Sequence, residues 1–135
     1  MTKIWYTAYM KSVAASWLSS AIDDFEGTLS MDLRQIKQPL KLFISALPKA
    51  VKLSQVIVFG SRGDGTALKD SDIDVIVVSD YFLDISEDNR LDVLYKASRF
   101  ISPEIHPWGV TPEELSKADK QSTLGAARES GKQFV

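Results

Sequence analysis

Residues 56–80 restrict what this chain can fold into more than any other stretch. An apolar, β-branched run at 56–59 ends at Gly60-Ser61. A polar loop carrying Gly63 and Gly65 then leads to Asp72-Ile73-Asp74, which opens a second β-branched run at 75–78. Short β-branched runs bounded by turn residues read as buried strands. Strand side chains alternate faces, so Asp72 and Asp74 project from one face, about 7 Å apart along the backbone. Two carboxylates at the mouth of an apolar strand are costly unless a positive charge sits between them. A divalent metal ion is the expected charge. Mg²⁺ is commonly held by one or two carboxylates together with substrate phosphates. A glycine before a serine lets backbone N–H groups and a hydroxyl approach phosphate oxygens with no Cβ in the way.

Other phosphate and metal motifs fail on spacing. A Walker loop needs Gly-Lys-Ser or Gly-Lys-Thr, and Gly65-Thr66-Ala67 does not supply it. A dinucleotide fingerprint needs a third glycine where Leu68 stands. An EF-hand beginning at Asp70 would put Val75 at the glycine position and Tyr81 at the terminal glutamate position. The remaining alternative is a solvated acidic turn, which the full spacing between two apolar strands disfavours.

A length of 135 residues fits one domain able to bury a core without staples. The net charge of −2 argues against direct nucleic-acid binding through a basic surface. Absence of cysteine excludes disulfides and thiolate metal sites, and the single histidine, His106, excludes a histidine-cluster zinc site. Lys11, several serines and bulky aromatics interrupt the apolar character of the first twenty residues, so an export signal is not expected. No run approaches the ~18 apolar residues of a membrane span. A cytoplasmic location is the expectation.

Trp5, Tyr9, Val13 and Trp17 recur at fourth-residue spacing, which predicts a helical extension over residues 1–30 with one aromatic stripe. The stripe packs on the domain itself, or serves self-association into a homo-oligomer or the binding of a partner protein. Ser30 is placed to cap a helix beginning at Met31. Pro39 predicts a kink or a new helix near Gln38, running through Leu40, Phe43, Ile44 and Leu47. After the second strand, residues 81–86 read as a loop. Ser86-Glu87-Asp88 starts a helix whose buried side is predicted to be Leu91, Leu94, Tyr95, Ala97 and Phe100. Thr111-Pro112-Glu113-Glu114 combines a capping threonine, a first-turn proline and a capping-box glutamate.

Gly60-Ser61, ten intervening residues and Asp72-x-Asp74 together resemble the signature of the DNA polymerase beta-like nucleotidyltransferase superfamily, most of all its minimal nucleotidyltransferase (MNT) branch. Arg62, Gly65 and Ser71 match residues common in that branch. The resemblance covers residues 31–135 as the nucleotidyltransferase domain and leaves 1–30 as an extension. It implies an α/β (α+β) fold with a small mixed sheet flanked by helices. It also implies Mg²⁺, with Mn²⁺ the other candidate, on Asp72 and Asp74, and a nucleoside triphosphate on Gly60, Ser61, Arg62 and Ser71. The implied reaction moves a nucleoside monophosphate, ATP being the expected donor, onto a hydroxyl by in-line attack on the α-phosphorus. Members of the branch are often antitoxins paired with a HEPN-type protein that they can adenylylate.

The resemblance breaks at the third metal carboxylate. Counting back from Thr111, its usual position holds His106, with Glu104 two residues earlier on the same strand face. Glu104 replaces the missing acid, or His106 acts as ligand or proton acceptor, or the third position is lost. Pro107 predicts an edge or irregular strand there. Asp64 stands where many relatives carry arginine. These departures keep a second reading open: a weakly active or inactive module that binds nucleotide or neutralises a partner by contact.

Overall fold

A computed structural model describes residues 31–135. The predicted aromatic helix of residues 1–30 and the cap assigned to Ser30 lie outside them. A short helix α1 (Met31–Gln35) breaks at Ile36, and α2 (Lys37–Ala46) begins before Pro39. Pro39 therefore falls in the first turn, where its missing N–H has no helical partner to lose. Leu40, Phe43 and Ile44 form the buried side of α2, as their spacing requires.

Strand β1 (Gln55–Phe59) runs antiparallel to β2 (Ile73–Val78), with Phe59 opposite Asp74. Between them lies α3 (Gly60–Asp64) and the polar loop. A 3₁₀ turn (Asp80–Phe82) follows β2 and overlaps the start of the segment read as a loop, and it carries Phe82 fully into the core. Helix α4 (Glu87–Ser98) then crosses to β3 (Ile105–Val110), which lies parallel to β2 with His106 opposite Asp74. Helices α5 (Pro112–Lys117) and α6 (Thr123–Ser130) precede β4 (Lys132–Gln133), which pairs antiparallel with β1. The sheet order is β3-β2-β1-β4, a mixed sheet with helices against it. β3 is an edge strand, so Pro107 costs no ladder bond on its open side.

Alternate residues of the strands feed two cores. Val56, Val58, Ile73, Val75, Val77 and Ile105 meet the side chains of α2, Phe82, Leu94 and Phe134 on one face. Ile57, Ile76, Val78 and Val110 meet Leu115 and Ala127 on the other. The second cover is shorter, because α5 and α6 reach only part of the sheet. Asp74, His106 and Trp108 share that face by strand alternation and lie where the cover ends.

One helical face differs from the prediction. Leu94 and Ala97 are buried on α4, but Leu91 is 54% and Tyr95 64% exposed. Arg90 occupies the inward position one turn before Leu94. Its guanidinium donates to the carbonyls of Phe82 (2.8 Å), Ile85 (2.9 Å) and Gly109 (3.1 Å) and to Glu114 Oε1 (2.7 Å). The stripe is therefore rotated by one residue from an apolar reading. Phe100 lies beyond the helix end at φ 69°, exposed, with the Arg99 guanidinium over its ring.

Candidate active site

The turn after β1 is shaped by a close approach. Gly60 has φ +67°, and a Cβ built on it would lie 2.6 Å from Asp74 Oδ2. Both the left-handed conformation and the neighbouring carboxylate thus demand glycine. The Gly60-Ser61 turn and the second acid of Asp-x-Asp are in direct apposition. The Asp74 carboxyl is held above the ordinary aspartate range by partial burial, with the His106 imidazole pulling it down and Asp72 pushing it up.

The loop beyond the turn is braced from within. Arg62, only 3% exposed, donates to the carbonyls of Lys69 (2.9 Å) and Ser71 (3.0 Å). Ser71 Oγ accepts from the Leu68 amide (2.8 Å). Gly65 closes α3 in the left-handed conformation at φ 84°. Asp64 accepts from the amide and hydroxyl of Thr66, and the hydroxyl contact first of all keeps its carboxyl below the usual value. Two residues placed in the nucleotide-binding set, Arg62 and Ser71, are thus engaged with the loop itself. Their observed contacts fix the approach of the chain to Asp72.

Asp72, Asp74, Glu104 and His106 gather in one place. His106 Nε2 lies 3.6 Å from Asp72 Oδ2 and 3.6 Å from Glu104 Oε1, while Nδ1 lies 3.7 Å from Asp74 Oδ1. Parallel pairing explains the grouping, since Asp74 and His106 are direct neighbours across β2 and β3 and the Ile73 amide donates to the Glu104 carbonyl. These separations exceed hydrogen-bonding distance. Ligand atoms of Asp72, Glu104 and His106 all fall within 4.8 Å of one another, so this trio could hold a divalent cation. Two carboxylates and one imidazole suit such an ion chemically.

Two neighbouring features were not read from the sequence. Phe59 and Trp108 meet edge to face at 6.1 Å beside the acids, with Trp108 41% exposed. Alternation at residues 104, 106 and 108 carries the signal for it, because a strand that presents Glu104 and His106 also presents Trp108. A cavity of about 440 Å³ opens between α3 and α6, bordered by Gly60, Gly63, Asp64, Ser122, Thr123 and Ser130. It adjoins the Gly60 turn.

A mixed four-stranded sheet with a glycine-serine turn set against paired aspartates defines a nucleotidyltransferase-type enzyme. The nucleotidyltransferase domain family model matches residues 40–129, two thirds of the chain and every residue of the site. The chain belongs to that family. A crystal structure of a presumed nucleotidyltransferase from Sulfolobus solfataricus is similar at 28% identity, covering 64% of this chain and 73% of that one, with a TM-score of 0.46. No curated protein matches.

Proposed function

We propose that the chain is a minimal nucleotidyltransferase that moves a nucleoside monophosphate from a nucleoside triphosphate, ATP first, onto a hydroxyl. The observation that carries this reading is the Asp74 carboxylate resting against Gly60, with Asp72, Glu104 and His106 around it. Acids beside a phosphate-binding turn serve a reaction in which a polyphosphate is brought to a cation. In this reading the backbone of Gly60 and Ser61 binds the triphosphate, and the cavity beside α6 takes part of the nucleotide. A divalent ion on these acids supplies neutralisation of the charge that builds on the α-phosphate. Glu104, an exposed member of that trio, keeps a second carboxylate oxygen to accept the proton of the attacking hydroxyl. The bond from the α-phosphorus to its bridging oxygen breaks and pyrophosphate leaves.

The acceptor in this reading is a protein, of the HEPN type that pairs with this branch in toxin and antitoxin modules, in the cytoplasm. No helix among the described residues is long and apolar enough to cross a membrane, which is compatible with such a partner. The domain division at residue 30 belongs to the same proposal, with the extension available to the partner or to a second copy.

Incubation with α-labelled ATP, a divalent ion and the candidate partner tests it. Label on the partner, lost in Asp72→Asn and Asp74→Asn, supports transfer. Partner binding that persists unchanged in those variants, with no label, would instead favour neutralisation by contact.

A further inference from the structure

We propose that His106 tunes this metal site toward first-row transition ions in preference to Mg²⁺, a shift for which Mn²⁺ is the mildest probe, with Nε2 as a ligand beside oxygens of Asp72 and Glu104. The inference rests on the nucleotidyltransferase reading and specifies its metal. Its geometric basis is that the imidazole stands between the acids. Nε2 lies 3.6 Å from both Asp72 Oδ2 and Glu104 Oε1, so one cation could take a ligand atom from all three residues. The other ring nitrogen faces Asp74 Oδ1 at 3.7 Å. A carboxylate on that side is the usual partner of a metal-bound histidine, and an approach of about 0.5 Å would bring Asp74 Oδ1 into hydrogen-bonding range, where it fixes the tautomer and turns the free lone pair toward the ion. Asp74 Oδ2, the oxygen over Gly60, remains turned toward the phosphate side.

Replacing a carboxylate by an imidazole changes which ion such a site prefers. Mg²⁺ is small and hard, and it is held through oxygen and water. A neutral nitrogen donor removes one negative charge from its ligand set and returns little. Transition ions accept imidazole readily and bind nitrogen and oxygen sites more tightly along the first row. The departure at the third position therefore changes metal preference while leaving a site behind.

His106 is the only histidine in the chain, so an imidazole signal has one source. Tag-free protein is loaded with Mn²⁺, with and without inorganic tripolyphosphate, and studied by pulsed electron paramagnetic resonance and by titration calorimetry. The expected result is ¹⁴N coupling from a directly bound imidazole, lost in His106→Asp and His106→Ala. The Mn²⁺ over Mg²⁺ preference should fall about tenfold in His106→Asp, an acid there restoring a hard oxygen ligand. Mn²⁺ bound without nitrogen coupling, or a metal preference unchanged in His106→Asp, overturns the proposal and leaves nucleotidyl transfer standing. Failure of wild type and His106→Asp alike to bind either ion, even with tripolyphosphate, overturns both.

Discussion

Gly60 and Asp74 show how tightly one residue constrains another across the site. An alanine at position 60 would meet the Asp74 carboxylate and hold a conformation that costs L-residues about 1–2 kcal/mol. Gly60→Ala should therefore lower stability by about that amount, measured by chemical denaturation, and reduce nucleotidyl transfer by about 10- to 100-fold through misplacement of the acid. Asp74 itself opposes stability. Its native-state carboxyl binds a proton more tightly than an ordinary aspartate because of burial. The metal-free fold is then most stable with Asp74 protonated, and it loses that advantage as pH rises from the ordinary aspartate value through the raised one. Asp74→Asn should raise the melting temperature of metal-free protein at neutral pH, leave it unchanged in acid, and abolish transfer. A neutral-pH melting temperature equal to or below wild type would contradict the electrostatic account. The approach of these two residues could be expected from the sequence, because the motif that resembles the nucleotidyltransferase signature puts a glycine turn and an acid at the ends of adjacent strands. The burial of Arg62 could not: a loop arginine looks solvent-bound until the carbonyls of Lys69 and Ser71 fold around it.

At the scale of elements, the joints were partly legible and the reasons differ between them. The start of α5 could be read because capping is local: Thr111 Oγ1 accepts from the Glu114 amide at 3.1 Å, and Glu114 Oε1 accepts from the Thr111 amide at 2.7 Å. The face of α4 could not, because Arg90 is polar by composition and buried by its partners. A carbonyl left without its donor in a partly buried joint costs about 1–3 kcal/mol. Arg90→Met, which keeps the stem and removes the donors, should destabilise by about 3 kcal/mol and lower the melting temperature by roughly 10 °C. The same joint gives a pH dependence. Burial is the largest single influence on the Glu114 carboxyl and pushes it up, but Arg90 and the Thr111 amide together outweigh it and leave it below the ordinary value. Its stabilising contribution is complete above the ordinary glutamate range and disappears as pH falls through the lowered value. Glu114→Gln should then reduce stability at pH 7 and flatten the acid limb of a stability profile; an unchanged limb would assign acid sensitivity elsewhere.

Over the whole molecule, the two strands of the motif could be read from their β-branched runs, but their neighbours could not. Parallel pairing of β3 with β2 and the return of β4 to β1 depend on contacts between residues far apart in sequence, which local patterns do not encode. The last strand is the instructive case. β4 contributes two exposed residues, too little to hold an edge by its own hydrogen bonds. Its anchor is the residue that follows. Phe134 is fully buried in the core shared with α2, Val56 and Val58, and its amide donates to the Val56 carbonyl at 2.8 Å, while the Val56 amide donates to Val135. Phe134→Ala should cost about 3–5 kcal/mol, a large share of the ~5–15 kcal/mol that a domain of this kind holds in total. Lys132→Ala and Gln133→Ala should each stay within about 0.5 kcal/mol, because their side chains bury little. Because the far face of β1 carries Ile57 and its end carries the Gly60 turn, loosening the tail should also speed amide exchange along residues 56–60. Denaturation midpoints and exchange rates in these three variants decide the matter. Equal losses in all three would assign the edge to strand pairing, whereas a loss confined to Phe134→Ala, with faster exchange reaching Gly60, would tie the order of the Gly60 turn to the packing of the last aromatic side chain.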